Sequence, residues 1–268
     1  MPKRKYSTAK GESNKKTRAK KPRTVVGGKV SQEQELSLPE VTKTNTAIGK
    51  EGERGVEILT PARLKENKPL LIILPGSSGR LGRGMSSVFI TDLSQYFSVR
   101  IREGKWRGWN PIGEANVQSV LDVCPPHNNT DDWYILGNSF GNRVVCAMFS
   151  EGMFHAPPKG LIMCGYPMYG PKCTDERVQL LQKLDLPEDR KLLCISGAKD
   201  EFLLRGGSDA QSVYESVLKG TSLLCNNQVE VRILPGGKHG VLDHSNEKVL
   251  AEASVTVVNW IRTRFELM

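Results

Sequence analysis

The sequence predicts an α/β fold, a mostly parallel sheet with helices on both faces. Two observations carry that prediction. Short, almost wholly apolar runs recur along the chain: Leu70-Leu71-Ile72-Ile73-Leu74, Trp133-Tyr134-Ile135-Leu136, Gly160-Leu161-Ile162-Met163-Cys164 and Lys191-Leu192-Leu193-Cys194-Ile195-Ser196. A strand that is apolar at successive positions has both faces buried, as strands of covered parallel sheets do. The intervening segments carry apolar residues at helical spacing, so strands and helices alternate.

The elements follow in order. Residues 25–50 are polar and Gly/Thr-rich without a period and read as linker. Gly55 to Leu59 reads as an edge strand, and Leu70 to Leu74 as the first buried one. Val88, Phe89, Leu93 and Phe97 give a helix within Met85 to Tyr96, followed by a strand over Phe97 to Ile101. Arg102 to Pro111, with Trp106 and Trp109, reads as a loop, and Val117, Val120 and Leu121 mark the next helix. After the strand at Trp133 to Leu136, Val144 to Phe149 reads as a helix. Arg177 to Leu184 is a short helix ahead of the strand at Lys191. Ala210, Val213, Val217 and Leu218 mark another helix, with Ser208 as N-cap and Gly220 as stop. Val229 to Leu234 alternates like a strand, and Val249, Leu250, Ala253, Val257, Trp260 and Ile261 form one face of a last helix. Little chain is left for a cap, so an open, shallow site is expected.

Ligand sites in such sheets form beyond the carboxyl ends of the strands. Three strand ends here carry chemistry. Gly137-Asn138-Ser139-Phe140-Gly141 lies between a strand and a helix. A G-x-S-x-G turn in that context is a nucleophile elbow, which exposes the Ser hydroxyl on a tight turn. The strand ending at Ser196 runs into Gly197-Ala198-Lys199-Asp200, and the one ending at Leu234 into Gly236-Gly237-Lys238-His239-Gly240. The order Ser139, Asp200, His239 is that of α/β-hydrolases. A Ser hydroxyl is a weak nucleophile at neutral pH and needs a base, here His239, held in one tautomer by a carboxylate, here Asp200. The oxyanion of an acyl-transfer intermediate needs preset donors. The N–H of Phe140 is one. The N–H of Ser77 or Ser78, in the loop Pro75-Gly76-Ser77-Ser78-Gly79, is the other.

Other chemistries fit less well. Gly76 to Gly82 lacks the Gly-Lys-Ser/Thr of a phosphate-binding P-loop and does not form G-x-G-x-x-G. No Cys-x-x-Cys pair or His/Cys cluster exists, so neither a metal nor a cofactor is expected. Glu201 is an adjacent alternative to Asp200. Asp243 and His244 read as a helix entry, His127 and His155 as surface residues, and Arg80 and Arg83 as solvated loop residues. Cys146, Cys164 and Cys194 lie in apolar runs and read as core.

Charge is unevenly placed. Residues 1–24 hold ten Lys or Arg against one acid, Glu12, an excess equal to the net charge of +9 for all 268 residues. With almost no apolar residue this stretch cannot offset its ordering entropy, and a disordered tail and linker are expected over 1–48, with the α/β domain over 49–268. Its basic clusters suit an import receptor or a polyanion at residues 2–24, and the location expected is nuclear or cytoplasmic. Neither a secretion signal nor a membrane span is expected.

The chain also resembles a known group, from about residue 55 onward. The loop Pro75 to Gly79, the elbow, Gly165-Tyr166-Pro167 after a strand, Ser196 to Asp200 and Gly237 to Gly240 are similar to those of the α/β-hydrolase-like family of testis-expressed protein thirty and subunit three of the non-specific-lethal chromatin complex. Dienelactone hydrolases are more distant relatives. That family usually has His-Gly where this chain has Pro75-Gly76, and often Asp-Pro-Phe where it has Asp200-Glu201-Phe202. The resemblance implies the α/β-hydrolase fold with minimal or no cap. Some members act as protein scaffolds. Two functions therefore stand as expectations: a serine hydrolase acting on a small ester, thioester or other acyl substrate, and a catalytically quiet module that binds a protein partner.

Overall fold

The computed structural model describes residues 41–45, 57–61, 68–79, 86–126, 132–169, 176–204, 208–243 and 246–265, which belong to one compact unit. The basic stretch 1–24, Arg80, Arg83, His127 and His244 lie outside them.

Two strands, β1 (Val41–Asn45) and β2 (Glu57–Pro61), pair antiparallel, Val41 opposite Pro61. β1 falls inside the stretch that patterning assigns to linker. Its five residues show no apolar period, so only the pairing with β2 reveals it. The main sheet is built from β3 (Leu70–Leu74), β4 (Ser98–Ile101), β5 (Trp133–Asn138), β6 (Gly160–Cys164), β7 (Lys191–Gly197) and β8 (Val229–Leu234). Its order is β4-β3-β5-β6-β7-β8, and every neighbouring pair is parallel. β2 lies beside β4.

The helices are α1 (Ser87–Ser94), α2 (Glu114–Leu121), α3 (Phe140–Ser150), α4 (Glu176–Gln182), α5 (Ala210–Leu218), α6 (Ser222–Cys225) and α7 (Glu247–Arg264). The short α6 has no counterpart in the sequence reading. The N-cap of α5 is Asp209, whose side chain accepts from Ser212 N–H, and not the expected Ser208. Asp209 stands directly before the first helical residue, where a side-chain acceptor reaches the orphan N–H groups.

The continuous apolar strands are explained by two cores, one on each face. Ile72 and Leu74 join Ile135, Leu161, Met163, Leu192 and Cys194 under α3, α4 and α5. Leu71 and Ile73 join Leu136, Ile162, Leu193 and Ile195 under α1 and α7. Alternate residues of the central strands β3, β5, β6 and β7 enter opposite cores, so their successive positions must be apolar. The two strands at the ends of the order alternate instead: β4 is buried at Val99 and Ile101, and β8 only at Leu234.

Register places the chemistry. Leu74 pairs with Gly137, Asn138 with Cys164, Cys164 with Ile195, and Gly197 with Leu234. The loops after β3, β5, β7 and β8 therefore leave the sheet at one end. Among the described residues only α4 and its flanking loops stand between β6 and β7. None of the helices described is long and apolar enough to cross a membrane.

Candidate active site

Ser139 sits between β5 and α3 with φ 50° and ψ −108°, a conformation that costs a non-glycine residue about 1–3 kcal/mol. The flanking glycines make this turn possible. A Cβ on Gly137 would lie 2.8 Å from the Asn142 nitrogen, and one on Gly141 would lie 2.7 Å from the Leu74 carbonyl oxygen. Any side chain there would push α3 off the sheet.

The turn aims Ser139 at His239. Ser139 Oγ lies 2.8 Å from His239 Nε2, and His239 Nδ1 lies 3.1 Å from each carboxylate oxygen of Asp200. A carboxylate only accepts, so Nδ1 carries the proton and Nε2 is left to accept from the Ser139 hydroxyl. Asp200 is fully buried and also accepts from Phe202 N–H at 2.8 Å, whereas Glu201 is exposed. The Phe202 ring stands 4.4 Å from the imidazole, centroid to centroid. Gly165, at φ 59°, passes against the His239 backbone, and a Cβ there would come 2.6 Å from its carbonyl oxygen. The three residues expected to act together are thus joined in one hydrogen-bonded row.

The loop after β3 was expected to hold an oxyanion donor. Gly76 borders Ser139, since a Cβ on Gly76 would lie 3.5 Å from that of Ser139. Gly79 N–H donates to Gly76 carbonyl at 2.9 Å and closes a turn with Ser77 and Ser78 at its centre. Neither serine has positive φ, as in a type I turn. Trp106 Nε1–H also reaches this loop, 3.0 Å from Gly76 carbonyl and 3.2 Å from Pro75 carbonyl. In a trans peptide C=O and N–H point in opposite directions. The Ser77 N–H therefore projects away from Trp106, and it donates to no backbone oxygen among the described residues. Phe140 opens α3, so its N–H has no partner inside the helix.

Sequence reasoning assigned Trp106 no such contact. The indole is buried, 5.4 Å from the Phe140 ring, with Arg102 stacked 3.7 Å above it. Burial, and then Arg107, pull the Arg102 guanidinium down to about 10, well above neutrality. Among the described residues no group of three or more His, Cys, Asp or Glu is placed to hold a metal ion. Asp243 N–H donates to Gly240 carbonyl in the loop after His239, and His155 is exposed.

A family model described as "Alpha/beta hydrolase domain" matches residues 94–262. The chain belongs to the alpha/beta hydrolase family. No curated protein matches it in sequence. Among solved structures, this alpha/beta hydrolase is similar to a fungal esterase from Rhizomucor miehei, with 14% identity and a TM-score of 0.55 over 87% of this chain and 85% of that one. It is similar to a soluble variant of monoglyceride lipase from Saccharomyces cerevisiae, with 11% identity and a TM-score of 0.53 over 86% and 96%. It is also similar to the thioesterase domain from the curacin biosynthetic pathway, with 11% identity and a TM-score of 0.51 over 82% and 99%. At such identities the likeness is one of fold.

Proposed function

We propose that the chain is a serine hydrolase that cleaves an ester, thioester or other small acyl substrate through an acyl-enzyme on Ser139. The observation that carries this reading is the row of hydrogen bonds from Ser139 Oγ through His239 to buried Asp200, begun by a residue in a strained turn. Ser139 Oγ attacks the carbonyl carbon while Nε2 of His239 takes its proton. The bond to the leaving group breaks, and His239 returns the proton to it. Water then attacks the acyl-enzyme, with His239 again as base, and releases the acid. Asp200 keeps the imidazole in the required tautomer and stabilises the imidazolium. Phe140 N–H and Ser77 N–H receive the oxyanion, with Ser78 N–H as the alternative to Ser77. Every step uses groups of this chain and water.

Fluorophosphonate labelling tests the reading. Labelling of the intact chain that disappears in Ser139→Ala and His239→Ala is expected. A folded chain that takes no label overturns the hydrolase and leaves the fold as a binding module for a protein partner.

Within the family, the Gly165-Tyr166-Pro167 turn and the His239 loop support a place beside testis-expressed protein thirty and subunit three of the non-specific-lethal chromatin complex. The basic excess of residues 1–24 supports contact with an import receptor or polyanion and a nuclear location. Deleting residues 2–24 should then move a fluorescent fusion from nucleus to cytoplasm.

A further inference from the structure

Trp109 is 71% exposed, the most exposed of the large apolar side chains among the described residues. It is not carried on slack chain. Asn116, fully buried on α2, accepts from Arg107 N–H at 2.7 Å and donates to Arg107 carbonyl at 3.2 Å and Asn110 carbonyl at 2.8 Å. One buried amide thus spends three hydrogen bonds on the backbone either side of Trp109. The same loop buries Trp106 as its packing anchor, so the fold does not need a second tryptophan for that purpose.

The loop is tied to the surroundings of Ser139 at two points. Trp106 bonds Gly76, the neighbour of Ser139. The Trp109 ring stands 5.7 Å from the ring of Phe140 at 81°, and Phe140 follows Ser139 in the chain. An ordered loop therefore holds a flat apolar surface in water against the ring of the residue that follows Ser139. Apolar surface held out of the core recovers its hydration cost only when something covers it.

We propose that Trp109 is the apolar wall of an acyl-binding subsite, which selects medium-length aliphatic or aromatic acyl groups over acetyl. The inference rests on Ser139 as nucleophile. It makes Trp109 a specificity residue and gives the substrate class as esters or thioesters of apolar acids.

The test compares kcat/KM for p-nitrophenyl octanoate and p-nitrophenyl acetate in the wild type, Trp109→Ala and Trp109→Phe, with thermal melts on each. The octanoate-to-acetate ratio should fall about tenfold in Trp109→Ala, as expected from losing an apolar contact of about 60 Å². Trp109→Phe keeps a flat ring and should restore most of the ratio. Calorimetric titration with octanamide reads the same subsite without turnover and should show a similar loss of affinity in Trp109→Ala. If Ser139 takes the fluorophosphonate label but ratio and affinity ignore Trp109, the subsite is overturned. If the wild type takes no label while octanamide affinity still depends on Trp109, the hydrolase reading falls and the apolar site stands.

Discussion

Ser77→Pro removes one N–H from the proposed oxyanion hole and little else. Ser77 is the second residue of the Gly76–Gly79 turn and has negative φ, the position where type I turns favour proline. The residue before it is glycine, which tolerates the restriction proline imposes on its neighbour. The Gly79 N–H bond to Gly76 carbonyl and both Trp106 bonds do not involve the Ser77 nitrogen, so the turn should survive. Loss of one oxyanion donor costs about a hundredfold to a thousandfold in kcat, or about 3–4 kcal/mol, while ground-state binding is little affected. The assay is steady-state hydrolysis of an activated ester, with kcat and KM resolved separately and a melt to show folding. Trp106→Phe completes the experiment. It keeps a ring beside Phe140 but deletes the donor shared by Pro75 and Gly76, at a cost of about 1.4 kcal/mol, or about tenfold in kcat if the freed peptide turns away from the oxyanion. If Trp106 acts only through the Gly76–Ser77 peptide, that tenfold loss disappears when Ser77→Pro is already present. A folded Ser77→Pro variant with kcat within about threefold of wild type would falsify Ser77 N–H as a donor and move the role to Ser78. Additive losses in the double variant would show that Trp106 reaches the site by another route.

Asp200→Asn should leave the fold intact and lower kcat about a thousandfold or more, because an amide no longer dictates the tautomer of His239; a loss below tenfold in single-turnover acylation would remove Asp200 from the mechanism. Gly165→Ala puts a methyl group 2.6 Å from the His239 carbonyl oxygen at φ 59°, so it should cost at least about 2 kcal/mol in a urea melt and lower the rate of Ser139 labelling, and an unmoved midpoint would contradict the packing described. Burial pushes the thiols of Cys146, Cys164 and Cys194 upward, Cys194 to about 12, while Cys225 is exposed. Of these four, only Cys225 should react quickly with iodoacetamide at neutral pH. Because the folded thiols titrate above the unfolded ones, their contribution to stability is complete below pH 9.0 and is lost as pH rises toward 12, so the urea midpoint should fall over that range.

The parts of this molecule that were legible in the sequence are those whose constraints act on the backbone. Burial on both faces of a parallel sheet demands apolar residues at successive positions, and Leu70 to Leu74 shows that directly. The tight turn at Ser139 and the approach of α3 to the sheet demand glycine at 137 and 141, so the elbow could be found by eye. Asp200 and His239 follow from strand ends, because register brings those ends to one side of the sheet. β1 escaped because a five-residue strand of Val, Thr, Lys and Asn has no period of its own; pairing with β2 makes it a strand. The N-cap of α5 was misplaced by one residue because Ser208 and Asp209 are equally good caps, and only the start of the helix chooses between them.

The contacts around Ser77 belong to a different class. Trp106 orients the Gly76–Ser77 peptide from thirty residues away, and Asn116 braces the loop around Trp109 from the next helix. Neither contact requires a particular spacing, so neither leaves a pattern in one sequence. The consequence is a division within the site. The proposed nucleophile, base and carboxylate stand at strand ends of a fold shared across the family, while the proposed oxyanion loop and apolar wall hang on two tryptophans of a single loop. The Trp106 indole supplies hydrogen bonds to the Pro75 and Gly76 carbonyls. What distinguishes this hydrolase from its relatives should therefore lie in residues 102–111. Replacing that loop with one of equal length from an esterase of the fold should change acyl preference and oxyanion stabilisation together, and leave the Ser139–His239–Asp200 row in place.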